Sequence, residues 1–368
     1  METRKVQTVG NGTYTVSLPK EWAEAEDVSA GDTVTLHRHT DGILAIQAPR
    51  GSDDRDGTGD PGEAVDGIGT NVRSGPAVRT AALDPRSLAG TLRAAYAAGV
   101  RTVELHHEEP LGAEHRRAIE SVLRRRIGTS MAETSTTETS ESGTAVRMLL
   151  DPGEVSVSQS VRQLAFVVDA TQRAAVESLA TAGDRSTVAE RADHAARLSA
   201  MIDRTVTLGM ADLEAADAIG ASRSALFESW TAMRELERVR EAAADVAAAA
   251  ARMEDPPTES RLAETREIAA DVRSIVSEGV SVVVGDEDAE TAQQALTAEA
   301  RARETIDAFD RRLATADRGA PVLRTVLSRL RRIAERGAAI AELGLRRTLR
   351  RQNATAERPA RTPESPSQ

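Results

Sequence analysis

The sequence predicts a multidomain chain that changes fold class twice: a short all-β segment, then a small α/β module, then a long all-α region. Three observations predict it. Apolar residues alternate with period two near the N-terminus, as in Thr33-Val34-Thr35-Leu36, but recur at helical spacing beyond Pro152, as in Val157, Val161, Leu164, Val168, Val176 and Leu179. Between the β and α/β segments lies a glycine- and acid-rich stretch with almost nothing to bury.

Residues 1–49 read as short strands with one helical turn: Arg4 to Val9, a Gly10-Asn11-Gly12 turn, Tyr14 to Leu18, a helix begun by Pro19, then Thr33 to His37 and Leu44 to Ala48 around an Asp41-Gly42 turn. So few residues in short strands make a poor core alone, which predicts a dimer. Residues 50–75 form a flexible acidic linker, with seven glycines and six acids between Gly51 and Gly75. Residues 76–151 form the α/β module: strand 77–83, helix 86–98, strand 101–107, helix 113–127, and strands near 128–134 and 144–150. The Ser/Thr/Glu stretch from Glu133 to Gly143 reads as a disordered hairpin tip.

From Pro152 onward helix follows helix, with breaks at Gly183-Asp184, Gly220-Ala221-Ser222, Asp255-Pro256-Pro257, Gly285-Asp286 and near Asp317 to Pro321. Six long helices are predicted, and such lengths suit antiparallel bundles. Leu236-Glu237-Arg238-Val239-Arg240-Glu241 lies over Leu330-Arg331-Arg332-Ile333-Ala334-Glu335 at an offset of 94, and Val246 and Ala247 lie over Ile340 and Ala341. This predicts duplicated three-helix units at 152–253 and 254–351. Residues 352–368, rich in Pro, Ser, Arg and Glu, read as a disordered tail.

Composition narrows the function classes. With no cysteine, thiolate catalysis, zinc-thiolate sites and disulfides are excluded. No apolar run approaches the roughly 18 to 20 residues that span a bilayer, and the N-terminus has no apolar core of a secretory signal, so a cytoplasmic protein without membrane insertion is expected. The net charge is -11, and of 47 basic residues only Lys5 and Lys20 are lysine. Excess carboxylate with scarce lysine resembles the proteins of salt-in halophiles; a genome that favours arginine codons is the other source. An acidic balance argues against wrapping long nucleic acid, so any DNA contact must be local. Arg4, Lys5 and Lys20 stand against the single acid Glu2 in the first 20 residues.

No catalytic motif emerges: there is no P-loop, no nucleophile elbow and no dinucleotide fingerprint, and a non-enzymatic protein is expected. His37 and His39 alternate on one strand face and His106-His107 end another strand; all four read as solvated edge residues.

Two resemblances sharpen the reading. Thr3-Arg4-Lys5-Val6-Gln7, Ser17-Leu18-Pro19-Lys20-Glu21-Trp22 and Ala30-Gly31-Asp32-Thr33-Val34 resemble the AbrB/SpoVT/MazE family of swapped-hairpin barrels. That resemblance implies a dimeric barrel closed by exchanged hairpins, with Arg4, Lys5 and Lys20 at the basic positions that meet DNA. The helical region, through Gly220-Ala221-Ser222-Arg223, Leu236 to Glu241 and Leu330 to Glu342, resembles PhoU, a pair of three-helix bundles, and the whole resembles archaeal AbrB-PhoU fusions. The module around Tyr96-Ala97-Ala98-Gly99 looks like their linker domain. These likenesses imply a regulator of phosphate uptake or phosphate-responsive transcription, docking a phosphate transporter ATPase or a signalling protein. The competing reading is a dimeric protein-binding adaptor with no DNA contact.

PhoU relatives also imply metal held by E/D-x-x-x-D pairs, since residues four apart share a helix face. Glu237 and Glu241 keep that arrangement, and Glu335 is the matching carboxylate of the second copy. Arg331 stands where Glu237 would repeat, and a guanidinium cannot ligate a divalent or iron cation. A salt-bridged bundle surface with no cofactor is therefore favoured.

Overall fold

The computed structural model describes residues 3–10, 12–38, 43–48, 77–79, 83–107, 111–135, 142–180, 186–253, 255–314 and 320–356, in two compact units, 1–73 and 74–368. The Asp41-Gly42 turn, His39, the linker 51–75 and everything beyond Ala356 lie outside the described residues.

In the N-terminal unit, β1 (Gln7–Val9) and β2 (Thr13–Thr15) pair antiparallel with Thr8 opposite Tyr14. Gly10 and Gly12 both take positive φ between them, which is the conformation this tight reversal needs. Helix α1 (Lys20–Ala25) follows Pro19, whose fixed φ suits a helix entry. Strands β3 (Thr35–Arg38) and β4 (Leu44–Gln47) form a second antiparallel pair. One sequence expectation fails here. His37 is only 7% exposed, and its Nε2 lies 3.0 Å from Gln47 Oε1. The pairing of Thr35 with Gln47 puts Gln47 diagonally beside His37 on one face of the hairpin, so the imidazole is held rather than solvated.

The second unit opens on a four-stranded sheet in the order β5-β6-β8-β7, with β5 (Ala77–Arg79) parallel to β6 (Thr102–His107), and β8 (Ser142–Met148) antiparallel to both β6 and β7 (Thr129–Ser135). Two helices accompany it, α2 (Pro85–Ala97) and α3 (Ala113–Leu123). Leu88, Leu92, Tyr96, Val103, Leu105, Ile119, Val146 and Met148 form one buried core. Asp84 caps α2, its Oδ1 accepting from the Arg86 and Ser87 amides at 2.8 and 3.1 Å, and Pro85 occupies the first turn where no amide is needed. Part of the stretch expected to be a disordered tip, Glu133 to Ser135 and Ser142 to Gly143, is paired in β7 and β8, with Ser135 opposite Ser142; the rest of it lies outside the described residues. Thr144 is β-branched and favours the ladder.

The rest is helical: α4 (Val157–Glu177), α5 (Ser186–Ala211), the short α6 (Leu213–Ile219), α7 (Arg223–Ala250), α8 (Glu259–Val284), α9 (Ala289–Leu313) and α10 (Ala320–Ala356). The turn chemistry explains the breaks. Gly220 ends α6 at φ 66 and Ser222 caps α7 by accepting from the Ala225 amide at 3.1 Å; Gly285 ends α8 at φ 88 and Asp288 caps α9 by accepting from the Glu290 amide at 2.9 Å. An additional break at Asp212, which caps α6 at 2.8 Å to the Glu214 amide, divides what the sequence reads as one helix. Helix α10 continues past Gln352, where the tail was expected to begin, because no proline interrupts it before Pro359.

α4, α5 and α7 pack on one another, as do α8, α9 and α10, and the two sets meet through α7 against α10 and α4 against α8. The positions matched at an offset of 94 do the same work in each set: Leu236 and Leu330, Val239 and Ile333, Val246 and Ile340 are all buried. Where α8 meets α10, the backbones approach at glycines. A Cβ at Gly279 would stand 2.9 Å from the Ala341 nitrogen and 3.0 Å from the Gly337 oxygen. Between α7 and α10 two glutamates are buried: Glu228 binds Arg347 at 3.2 Å together with Arg350, and Glu235 binds Arg336 at 3.4 Å together with Arg238. Each carboxylate thus has two guanidiniums, which is what keeps its charge tolerable inside.

Candidate functional site

Three cations of the N-terminal unit flank the β1–β2 hairpin. Arg4 and Lys5 lead into β1 and Lys20 follows β2, so the antiparallel register places all three beyond the Gln7–Thr15 pair, away from the glycine turn. All three side chains are exposed. Lys20 Nζ sits 3.3 Å from Glu24 Oε1 one turn along α1, an exposed pair of at most about 1 kcal/mol that a phosphate would readily displace. Residues 1–50 carry five basic side chains against seven acidic ones, so the unit as a whole is not basic.

The same unit leaves apolar side chains uncovered. Val6, Val9, Tyr14, Val16, Leu36, Ile43 and Leu44 are all exposed, and Tyr14 reaches 74%. So many exposed apolar side chains in so short a segment are more than a closed core would leave.

The helical carboxylates singled out in the sequence do not converge. Glu237 is held by Arg234 at 2.8 Å, Glu241 is exposed beside Arg240 at 3.7 Å, and Glu335 is exposed on α10. Arg331 is bound to Asp307. Among the described residues, no three His, Cys, Asp or Glu side chains form a group that could hold a metal ion.

A second cluster escaped the sequence reading. Arg204 on α5 is 1% exposed and inserts into the α/β module, donating from Nη1 to the Tyr96 and Val100 carbonyls at 2.7 and 3.1 Å and from Nη2 to the Gly99 and Met148 carbonyls at 3.3 and 3.0 Å. Burial pushes its guanidinium below its ordinary value, and the nearby Arg101 adds to the effect. Arg126 also stacks on Tyr96, 5.5 Å from the ring centre, and Tyr96 donates its hydroxyl to the Ile127 carbonyl at 3.0 Å. Burial raises the Tyr96 phenol, opposed by those two cations. Nothing in local spacing marks Arg204, since it lies off the main apolar stripe of α5 and is one of 45 arginines.

His106 and His107 are half-buried; His107 Nε2 pairs with Thr144 Oγ1 at 3.2 Å across β6 and β8, so neither stands free at a strand edge. Among the described residues, no helix is long and apolar enough to cross a membrane. No curated protein matches this sequence. Residues 7–53, which span β1 to β4 and include Lys20 but begin after Arg4 and Lys5, match the family described as Antidote-toxin recognition MazE, bacterial antitoxin, so the N-terminal unit is similar to a MazE/AbrB-type domain and the remainder is largely helical.

Proposed function

We propose that the protein is a non-enzymatic, DNA-binding regulator of phosphate uptake or of phosphate-responsive transcription. Its N-terminal unit dimerises by exchanging hairpins and touches DNA with Arg4, Lys5 and Lys20, while the helical body docks a partner or senses phosphate status. The observation that carries the reading is the match over residues 7–53 on a unit whose apolar side chains one chain leaves uncovered. The phosphate role draws on the PhoU resemblance, supported by the buried repeat between α7 and α10. The reading needs no cofactor. Glu237, Glu241 and Glu335, the carboxylates the PhoU resemblance points to, do not converge on one cation, and elemental analysis of the wild type against Glu237→Ala tests whether any divalent or iron cation is held.

The family description favours a second reading, an antitoxin that wraps a toxin. Six long helices are more chain than a toxin-wrapping tail needs, which keeps it second. The test is fluorescence anisotropy of the full chain, and of a chain lacking residues 1–50, on DNA from upstream of its own gene. Saturable binding lost on truncation supports the regulator. A full chain that forms a dimer and ignores the DNA leaves the adaptor with no DNA contact.

A further inference from the structure

We infer that the cleft between the α/β module and the helical body binds a small tetrahedral oxyanion, for which inorganic phosphate is the defining probe. The cleft holds about 240 Å³ and is lined by Arg93 of α2, Arg126 just after α3, Ser199 and Asp203 of α5, and Arg234 and Glu237 of α7. Three guanidiniums face two carboxylates. Glu237 is engaged by Arg234 at 2.8 Å, and Asp203 Oδ1 accepts from Trp230 Nε1 at 2.8 Å. Among the described residues, neither Arg93 nor Arg126 forms an ion pair within salt-bridge distance, although the Asp203 carboxylate attracts Arg126, so the three guanidiniums outnumber the two carboxylates by one.

A second observation is independent of charge. Ser199 is 4% exposed and its Oγ has no hydrogen-bond partner among the described residues; the buried Nε of Arg126 has none either. Donors left unpaired in a protein interior are costly, and both residues belong to the lining of this cleft. Burial depresses the Arg126 guanidinium, Arg93 and Arg125 add to the shift by repulsion, and Tyr96 and Asp203 oppose it. An anion placed among them offsets the repulsion between the guanidiniums.

Size and direction select the ligand class. Drug-sized ligands occupy pockets of about 300 Å³ and more, so this cleft suits an ion or a very small molecule. Its donors come from four separate segments, which a tetrahedral oxyanion can meet with oxygens in every direction, whereas a carboxylate offers two in one plane. The role of the site rests on the phosphate-sensing reading above; its existence rests on the cleft alone.

Isothermal titration calorimetry of the full chain at constant low ionic strength tests it, with phosphate, sulfate and succinate as probes. Phosphate should bind saturably at one equivalent per chain, with sulfate close behind and succinate much weaker. Arg93→Gln, whose side chain is exposed and leaves the fold untouched, should weaken phosphate about tenfold or more, and Ser199→Ala about fivefold. Arg126→Gln should act as Arg93→Gln does, with a circular dichroism control because Arg126 also stacks on Tyr96. No saturable phosphate binding by the wild type, equal binding of succinate, or unchanged affinity in Arg93→Gln overturns the site. DNA binding measured on the same samples separates the two readings: phosphate bound without DNA sinks the regulator and keeps the site, and DNA bound without phosphate does the reverse.

Discussion

Arg204 Nη1 donates to the backbone carbonyl of Tyr96 at 2.7 Å while its guanidinium carbon lies 5.0 Å from the centre of the same residue's ring. Three of the four carbonyls it reaches, on Tyr96, Gly99 and Val100, stand at the C-terminal end of α2, where a helix leaves acceptors unsatisfied and its dipole is negative. One cation thus closes α2 and fastens the α/β module to α5. Arg204→Met removes all four bonds and leaves buried carbonyls without this donor, and about 2–4 kcal/mol of stability should go with them. Urea unfolding of the variant checks this; a loss under about 1 kcal/mol contradicts the fastening role.

Gly279→Ala sets two effects of opposite sign against each other. Alanine in place of a helical glycine stabilises by roughly 0.5–1 kcal/mol. The added Cβ would meet the Ala341 nitrogen at 2.9 Å and the Gly337 oxygen at 3.0 Å, both backbone atoms that no rotamer change can move. Overpacking of that kind costs about 1–3 kcal/mol, so a net loss is expected and thermal unfolding should show a lower midpoint. A raised midpoint would mean that α8 and α10 can separate at this point without penalty.

The parts that were legible in the sequence are those written locally. Val157, Val161, Leu164 and Val168 announce the buried face of α4 by spacing alone, and Gly285 followed by Asp288 announces a helix stop and a new cap. Burial of His37 is not local, because it depends on which residue of β4 falls beside it. Arg204 and the cleft are less legible still. Arg93, Arg126, Ser199 and Arg234 lie on separate elements, and only the docking of α2 on α5 brings them together. Conversely, Glu237 and Glu241 form the spacing that metal pairs use, yet the carboxylates that α7 buries are Glu228 and Glu235, seven apart and facing the arginines of α10.

Acid should weaken the contact between α4 and the turn before α9. Arg162 binds Asp286 through Nε at 2.8 Å and Nη2 at 2.5 Å, and that hydrogen bonding holds the Asp286 carboxyl below its usual value. A carboxyl depressed by folding adds stability in full above its unfolded value of about 3.9, and that stability disappears as pH falls through the lower folded value. Both side chains are more than a third exposed, so the pair is worth at most about 1 kcal/mol, or some 2–4 °C in melting midpoint. The midpoint gap between wild type and Arg162→Gln, followed by calorimetry, should be open at pH 7 and close below about pH 4. A gap independent of pH would show that the carboxylate is not its source.

Arg4, Lys5 and Lys20 make the sharpest test of DNA contact, because each is exposed and all three flank the β1–β2 hairpin in a chain of net charge -11. Phosphate contacts release counterions, so each residue changed to Gln should flatten the slope of log affinity against log salt by about one unit and weaken all DNA sequences alike. A residue that reads a base edge behaves differently: its loss costs about 1–3 kcal/mol at one position and relaxes specificity there. Lys20→Gln gives up only the exposed contact to Glu24, so circular dichroism should show an intact fold and light scattering an unchanged mass. Lys5→Gln removes an exposed side chain from the lead into β1 and should be equally silent in the fold. A triple variant that keeps its fold, its oligomeric mass and its full DNA affinity with an unchanged salt slope removes these residues from any DNA interface and leaves the protein-binding adaptor as the function of this unit.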